Sequence, residues 1–423
     1  MKEYFLSLKD KYHINETLMQ QIFAAYDAVQ PYWQPISNHT WTAQIKILNA
    51  FQKHQASDFH LNGSTGYGYG DTGRDILELI WADIFRAEKA LVRANIASGT
   101  HALALCLYGN LLPGDTFVSI SGQPYDTLQT IIGHDREPGT LSELGIQHKV
   151  VDLKEDMFDW AAIARTVTAD TKMVCIQRSR GYSWRKSLSI AKIAEAITFV
   201  KQINPQIICF VDNCYGEFVE LQEPLEVGAD LIAGSLIKNP GGGLAPRGGY
   251  IAGRADLVDR AAIRLTAPGI AEDVGSALDF NRLAFQGLFM APLIVEQAMK
   301  GAIFAAQLLS QLGYQVSPAA GETRTDIIQA IRLDTPERIR KFCKGIQLAS
   351  PLDAHVTPYD AELPGYDDPV IMAGGTFVQG SSIELSIDGP MREPYIVYMQ
   401  GGLSVAHVIA GVVAAVGQME QSE

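Results

Sequence analysis

The chain has 423 residues, of which 47% are hydrophobic and 19% charged, and its net charge is −13. This length suffices for two domains, and the acidic balance argues against binding to nucleic acid or to a membrane. The five cysteines are scattered without a CxxC pair, which argues against a metal site or a disulfide framework. The first residues, MKEYFLSLKDKYHI, lack the apolar core of a secretion signal, so we expect a cytoplasmic protein.

Hydrophobic periodicity divides the chain into three predicted regions. Residues 1–60 are predicted to form a helical arm, residues 61–290 a large domain and residues 291–423 a smaller α+β domain. In the large domain, short apolar runs alternate with helical patterns, which predicts an α/β fold with a mainly parallel seven-stranded sheet. The predicted strands are Lys89–Ala94, Thr116–Ser121, Gln147–Val151, Met173–Gln177, Ile207–Val211, Leu231–Gly234 and Gly249–Ala252.

Helices are predicted between the strands and after them. Ile190–Ile203 has a helical pattern inside the large domain, and Gly287–Leu312 reads as a long helix that leaves it. The smaller domain has strand candidates near Ile327–Leu333 and Ser382–Ser386. The apolar run Leu403–Val416 is too short to cross a membrane, so we interpret it as a buried helix.

In parallel sheets ligands bind beyond the carboxyl ends of the strands, so the residues that follow each strand deserve inspection. The first predicted strand is followed by the turn Ser98-Gly99-Thr100, which opens an Ala/Leu-rich helix. The unpaired N–H groups of a helix N-terminus suit a phosphate. The alternative is simple N-capping by Ser98 or Thr100.

Three further side chains follow predicted strands. Asp212 comes directly after IICFV and is either a helix cap or ion-pair partner, or the partner of a positively charged ring nitrogen. Tyr125 stands where a ring stacks on a planar ligand, or packs as an ordinary tyrosine. Lys238 follows the next buried strand and is either a surface lysine or a reactive amine.

The segment after Lys238, NPGGGLAPRGG, is rich in glycine. We interpret these glycines as leaving room for a cofactor and a substrate above the lysine. Partial desolvation is expected to lower the pKa of Lys238, so that the neutral amine attacks an aldehyde. A phosphate cradle, a stacking ring, an acid and a lysine at one sheet edge are together what pyridoxal 5'-phosphate requires.

Several motifs resemble those of the fold type I pyridoxal-phosphate enzymes, within them the cystathionine lyase and methionine γ-lyase group. VDNCYGEF resembles the VDNTY segment of that group, GSLIK its HSxTK segment and ASGTHAL its ASGMAA turn. GYGYGDTGRD, GSLIKNPGGGLAPRGGYIAG and DGPMREPYIVYMQGGL are similar to the methionine γ-lyase-like aluminium-resistance subgroup. The resemblance extends from about residue 50 to residue 415.

The resemblance implies a role for individual residues. It assigns the phosphate cradle to Gly99 and Thr100, beside Ser98, and a phosphate-binding hydroxyl to Ser235. Asp212 becomes the pyridinium partner, Tyr125 the stacking aromatic and Lys238 the Schiff-base lysine. It also implies a homodimer or homotetramer with shared active sites, in which Tyr67, Tyr69 or Arg74 reaches the phosphate of a neighbouring subunit.

One departure from the family pattern concerns the substrate. The group binds the substrate carboxylate through an arginine in an R-x-S-x-G segment, but this chain has Glu384 at that position. The nearest arginine is Arg392, which is our candidate because a guanidinium matches a carboxylate. The alternative is a structural ion pair of Arg392 with Glu384 or Glu393.

The resemblance implies a lyase that cleaves a carbon–sulfur bond in a sulfur-containing amino acid, with β- and γ-elimination both open. Aldol cleavage, transamination and desulfuration need the same residues, because the cofactor supplies the shared chemistry. A stress-related cofactor-binding protein with weak catalysis is the alternative from another class. The presence of both Asp212 and Lys238 argues against that last interpretation.

Overall fold

The computed structural model describes residues 2–133, 137–363 and 366–420. Within these ranges the helices are α1 Lys2–Tyr12, α2 Glu16–Lys53, α3 Thr72–Phe85, α4 Gly99–Asn110, α5 Asp126–Ile132, α6 Trp160–Thr166, α7 Ile190–Ile203, α8 Ala255–Leu265, α9 Phe280–Gln311, α10 Pro336–Leu348 and α11 Val405–Glu420. The strands there are β1 Lys89–Arg93, β2 Thr116–Ser119, β3 Gln147–Val150, β4 Leu153–Lys154, β5 Met157–Phe158, β6 Thr171–Gln177, β7 Ile208–Asp212, β8 Leu231–Ser235, β9 Gly249–Gly253, β10 Gln315–Ser317, β11 Gln329–Arg332, β12 Asp360–Ala361, β13 Val370–Ala373, β14 Ser386–Pro390 and β15 Ile396–Gln400.

The chain forms two compact units. One comprises Thr42–Ala291, and the other combines Met1–Trp41 with Pro292–Glu423. The long helices α2 and α9 each contribute residues to both units. By length and composition α9 could cross a membrane, but 72% of its most apolar window is buried inside the protein, as in a core helix.

The unit Thr42–Ala291 is built on a seven-stranded sheet in the order β1-β9-β8-β7-β6-β2-β3. The pairs from β8 through β7, β6 and β2 to β3 are parallel, and β9 is antiparallel to both β1 and β8. All residues of β8 and β9 are buried, because helices cover both faces. The seven strands predicted from the sequence are these seven strands, so the predicted fold class is confirmed.

The other unit contains a six-stranded antiparallel sheet in the order β10-β11-β15-β14-β13-β12. Its core includes Phe304 of α9, Phe342 of α10 and Val412 of α11. The strand predicted at Ser382–Ser386 instead begins at Ser386. Both carboxylate oxygens of Glu384 accept main-chain N–H groups, from Phe377 and Val378, and thereby close a turn before the strand begins.

Candidate active site

A carboxylate ends the central strand β7. Asp212 is the last residue of β7 and is opposite Gln177 of β6 and Ala233 of β8. Its Oδ1 accepts a hydrogen bond from the Cys214 amide at 3.1 Å. Burial raises the pKa of Asp212 above its ordinary value, although the nearby charge of Lys238 opposes this rise. The structure thus brings Asp212 and Lys238 together at the carboxyl edge of the sheet.

Lys238 follows β8 by three residues, and its Nζ lies 4.1 Å from the centroid of the Tyr215 ring. Burial lowers the pKa of this lysine, as the sequence indicates, but the acidic groups of Cys214, Tyr215, Asp212 and Glu217 raise it more. The pKa of Lys238 is therefore above its ordinary value, not below it as expected. Sequence reasoning counted the desolvation and missed the surrounding acids.

The N-terminus of α4 lies against the end of β8. A β-carbon placed on Gly99 would lie 3.0 Å from Cβ of Ser235, so only glycine permits this close approach without a shift. Ser98 Oγ accepts the amide of His101 at 3.1 Å and thus caps the helix. The helix N–H groups and the Ser235 hydroxyl therefore lie near one another, while the Ser98 hydroxyl has a structural role.

Tyr125 directly precedes α5 at the same edge. Its amide donates to Gln177 Oε1 at 2.7 Å, which ties it to the end of β6. Its ring meets the Tyr182 ring edge-on, with centroids 5.4 Å apart. The hydroxyls of Thr100 and Thr127 lie 3.0 Å apart and join the first turns of α4 and α5 beside it. The orientation of Tyr125 is thus fixed from two sides.

The glycines after Lys238 do not leave open space, contrary to the expectation from the sequence. A β-carbon on Gly241 would lie 1.7 Å from the Leu236 carbonyl oxygen, and one on Gly242 would lie 2.2 Å from that of Gly287. These glycines allow main-chain segments to approach each other closely. They shape the protein around Lys238, not a cavity above it.

A pocket partly open to solvent lies at the carboxyl ends of β2, β6 and β7. It contains about 290 Å³ of empty space, part of which is open to solvent. Its lining includes Ser121, Pro124, Gln177, Phe210 and Asp212. The walls of this pocket are mainly apolar, and Asp212 contributes one carboxylate to them.

The three residues predicted to bind a neighbouring subunit's phosphate differ in their exposure to solvent. Tyr67 and Tyr69 are 74% and 68% exposed, with ring centroids 5.6 Å apart. Arg74 is buried, and its Nη1 donates to the carbonyl oxygens of Gly68 and Gly275 at 2.9 and 3.2 Å. Arg74 therefore holds its own loop, whereas the two tyrosines are accessible. Their role toward a neighbouring subunit stays a prediction.

Arg392 lies in the other compact unit, after β14. Its side chain is 43% exposed, and Nη1 donates to Asp368 at 2.9 Å. This partner is neither of the two glutamates considered from the sequence. Each carboxylate oxygen of Glu384 accepts one main-chain amide, so this side chain is engaged in its own turn. Substrate binding by Arg392 stays a prediction.

Sequence reasoning missed a buried acid next to Lys238. Glu217 is fully buried and accepts a hydrogen bond from the Tyr250 hydroxyl at 2.8 Å. Each residue stands in a short apolar segment, GEFV and GGYIA, where a polar atom needs a buried partner. That pattern signals a buried pair, although it does not say which residues pair.

Three features together define the class of protein to which this chain belongs. They are a mostly parallel seven-stranded sheet, a lysine and an acid at the ends of two neighbouring strands, and a helix N-terminus beside them. The protein has the fold type I architecture. It belongs to the methionine gamma-lyase family, whose family model matches residues 18–420. The resemblance predicted from the sequence motifs is thereby confirmed.

The chain is also similar to individual proteins and solved structures. The chain is 50% identical over 381 residues to YnbB of Bacillus subtilis (strain 168), covering 89% of this chain and 90% of YnbB. It is 47% identical to a structure from Clostridium acetobutylicum named as a candidate cystathionine beta-lyase involved in aluminum resistance, with 98% of each chain covered and a TM-score of 0.95. The pyridoxal-5'-phosphate-dependent protein YhfS from Escherichia coli shares only the fold, with 16% identity, a TM-score of 0.59 and coverage of 89% of this chain and 95% of YhfS.

Proposed function

We propose that this protein is a pyridoxal-phosphate-dependent lyase that cleaves a carbon–sulfur bond in a sulfur-containing amino acid. The observation that carries the proposal is the convergence of Lys238 and Asp212 at one sheet edge, each stabilising the charge of the other. The family assignment and the name of the Clostridium acetobutylicum relative support carbon–sulfur chemistry.

The residues present fit the cofactor. The helix N-terminus at Gly99 is packed against Ser235, which offers N–H and hydroxyl donors to a phosphate. Asp212 lines the pocket at the ends of β2, β6 and β7 and is a suitable partner for a protonated ring nitrogen. Tyr125, fixed by Gln177 and Tyr182, supplies a ring to stack on the cofactor. These donors match the phosphate, the nitrogen and the ring.

When bound, pyridoxal phosphate supplies a ring that stabilises negative charge on the carbon next to the substrate amino group. Lys238 Nζ would then take the proton from that carbon and pass a proton to the leaving thiolate sulfur, so it must lose its own proton first. Asp212 keeps the opposite end of the cofactor site negative. Tyr215, with its ring 4.1 Å from Lys238 Nζ, restricts where the lysine points.

We propose that Arg392 binds the substrate carboxylate, because Glu384 replaces the expected arginine and is engaged with the turn at 377–378. Arg392 and Asp368 form a half-exposed surface ion pair, and breaking such a pair costs little free energy. Arg392→Lys is expected to raise KM more than it lowers kcat, since a lysine cannot form the bidentate pair.

The main experiment measures cofactor and products together. The purified protein is mixed with pyridoxal phosphate, and visible absorbance is recorded for the wild type and Lys238→Ala. L-Methionine, L-cystathionine and L-cysteine are then assayed for released thiol, ketoacid and ammonia. We expect a yellow wild type that releases all three products from at least one substrate, and a Lys238→Ala variant that releases none.

A wild type that stays colourless with added cofactor contradicts the cofactor assignment. A yellow wild type that releases ammonia or ketoacid without thiol contradicts the carbon–sulfur assignment alone. The ratio of products from cystathionine separates cleavage at the β carbon from cleavage at the γ carbon.

A further inference from the structure

Behind Lys238 lies a buried carboxyl group that the proposed reaction does not use. Glu217 and Tyr250 are both fully buried, and Glu217 Oε1 accepts the Tyr250 hydroxyl at 2.8 Å. Glu217 Oε2 is buried as well and has no hydrogen-bond partner among the described residues. An ionised carboxylate that is buried with one oxygen lacking a hydrogen bond raises the free energy of the folded state. A neutral carboxylic acid in the same place raises it far less.

The sheet makes specific room for this group. Gly234 of β8 lies opposite Tyr250 of β9. A β-carbon on Gly234 would lie 2.7 Å from both Glu217 Oε1 and the Tyr250 ring. Gly234 belongs to β8, the strand that leads to Lys238. Glu217 therefore packs against the end of β8, close to where the segment with Lys238 begins.

The Asn239 side chain links the lysine segment to the main chain at Glu217. The side-chain amide of Asn239, the residue after Lys238, donates to the carbonyl oxygens of Tyr215 and Glu217, both at 3.0 Å. Tyr215 has a φ of 69°, in the left-handed region that a tyrosine rarely adopts. Such backbone strain persists only where surrounding contacts hold it, and here it turns the Tyr215 ring toward Lys238.

The titratable groups that face Glu217 come from three parts of the chain. Tyr250 belongs to β9, Lys238 follows β8, and Glu223 belongs to the segment after β7. Burial raises the pKa of Glu217 to about 8; the hydrogen bond from Tyr250 and the charge of Lys238 lower it, and Glu223 raises it. Glu223 is itself paired with Arg178 at 3.4 Å. With a pKa of about 8, Glu217 is mostly protonated at neutral pH and ionises as the pH rises.

We propose that Glu217 is a positioning residue for Lys238, which holds a proton in the resting protein so that the lysine faces one ionised carboxylate, Asp212, rather than two. This inference rests on the proposed function in taking Lys238 as the reacting amine. When Glu217 ionises at higher pH, a second negative charge holds the Lys238 ammonium more firmly. The neutral amine then becomes available less steeply with rising pH than for an isolated lysine.

The first test follows Lys238 with pyridoxal phosphate itself as the probe. The rate of appearance of the visible band is measured by stopped flow from pH 6 to pH 9. The ratio of the Glu217→Gln rate to the wild-type rate is expected to increase with pH by several-fold to about tenfold, the effect of one pKa unit on the lysine. Tyr250→Phe removes a hydrogen bond that favours ionised Glu217. In this variant the slowing of the reaction relative to Glu217→Gln should therefore begin at a higher pH than in the wild type.

The matched control is Glu220→Gln, which removes a carboxylate from the same segment that binds Arg178 at 2.9 Å. The ratio of the Glu220→Gln rate to the wild-type rate should not change with pH. A flat ratio for Glu217→Gln, with a wild-type lysine that reacts, overturns this inference and leaves the proposed function intact. A wild type that does not react at any pH contradicts the proposed function.

The second test needs no cofactor. The infrared difference spectrum of wild type minus Glu217→Gln should show a protonated carboxyl band at pH 6.5 that disappears near the Glu217 pKa of about 8. Lys238→Met removes a positive charge that favours ionised Glu217, so the band should persist to higher pH in that background. Absence of the band at pH 6.5, or an unchanged midpoint in Lys238→Met, overturns the inference whatever the protein catalyses.

Discussion

Two glycines, one from each glycine-rich segment of this protein, have different structural roles. After Lys238, a β-carbon on Gly241 would lie 1.7 Å from a carbonyl oxygen of its own chain. In the loop before α3, a β-carbon on Gly66 would meet nothing within 4 Å, and only its φ of 62° favours glycine. Gly241 is therefore needed for close packing near the site, whereas Gly66 is needed for its turn; Gly68 of the same loop combines both, because its β-carbon would lie 2.7 Å from Ser276 and its φ is 68°. Composition alone does not separate these cases.

The largest effect expected from this comparison is on stability. Gly241→Ala forces two main-chain segments apart, so we expect a loss of more than about 3 kcal/mol in the free energy of unfolding. Gly66→Ala is the matched control and should cost about 1 kcal/mol, because only the backbone angle is strained. Urea unfolding of both variants measures the difference. Equal losses would show that the two positions do not differ in packing.

The next effect concerns chemistry at the edge of the sheet. Asp212→Asn removes the negative charge that favours a protonated ring nitrogen, so turnover should fall by a factor on the order of 100 to 1,000. The cofactor should still give visible absorbance. Steady-state rates with the best substrate of the panel measure this effect.

Asp230→Asn is the control, because Asp230 is a buried carboxylate beside the opposite end of β8. It accepts Lys201 Nζ at 2.6 Å and the Cys209 amide at 2.8 Å. This substitution should lower stability without a comparable loss of turnover. If Asp212→Asn keeps wild-type turnover, Asp212 is a structural residue only.

The sequence predicted the sheet well for a physical reason. Runs such as IICFV are short, apolar on both faces and rich in β-branched and aromatic residues, which is typical of strands covered on both sides. Strand direction was not predictable, because Gly249–Gly253 has the same pattern although it is antiparallel to its neighbours. Glu217 and Tyr250 pair across three elements, and no local pattern contains that information.

The loop before α3 also shows where a resemblance reaches its limit. The motif GYGYGDTGRD offers Tyr67, Tyr69 and Arg74 equally as donors to a phosphate. The structure separates them, because Arg74 donates to the carbonyl oxygens of Gly68 and Gly275 inside its own chain. A test of subunit sharing should therefore change a tyrosine, since a change at Arg74 would also release the loop.

The smallest effect expected is partial recovery of activity in mixed oligomers. We propose that the protein is a homo-oligomer in which Tyr69 of one subunit completes the site around Lys238 of another. An inactive Lys238→Ala chain and a weakened Tyr69→Phe chain, refolded or exchanged together, would then produce hybrids with one intact site. Random pairing in a twofold dimer predicts recovery of about a quarter of the wild-type activity.

Tyr67→Phe serves as the matched control, because its ring lies 5.6 Å from that of Tyr69 on the same exposed loop. A hydroxyl that reaches a phosphate loses a charge-assisted hydrogen bond when it is removed, which weakens cofactor binding in the Tyr69→Phe parent alone. Exchange is followed with differently tagged chains. If tagged hybrids form and their activity is only the average of the two parents, Tyr69 acts within its own subunit or not at all, and the accessible loop is a surface turn.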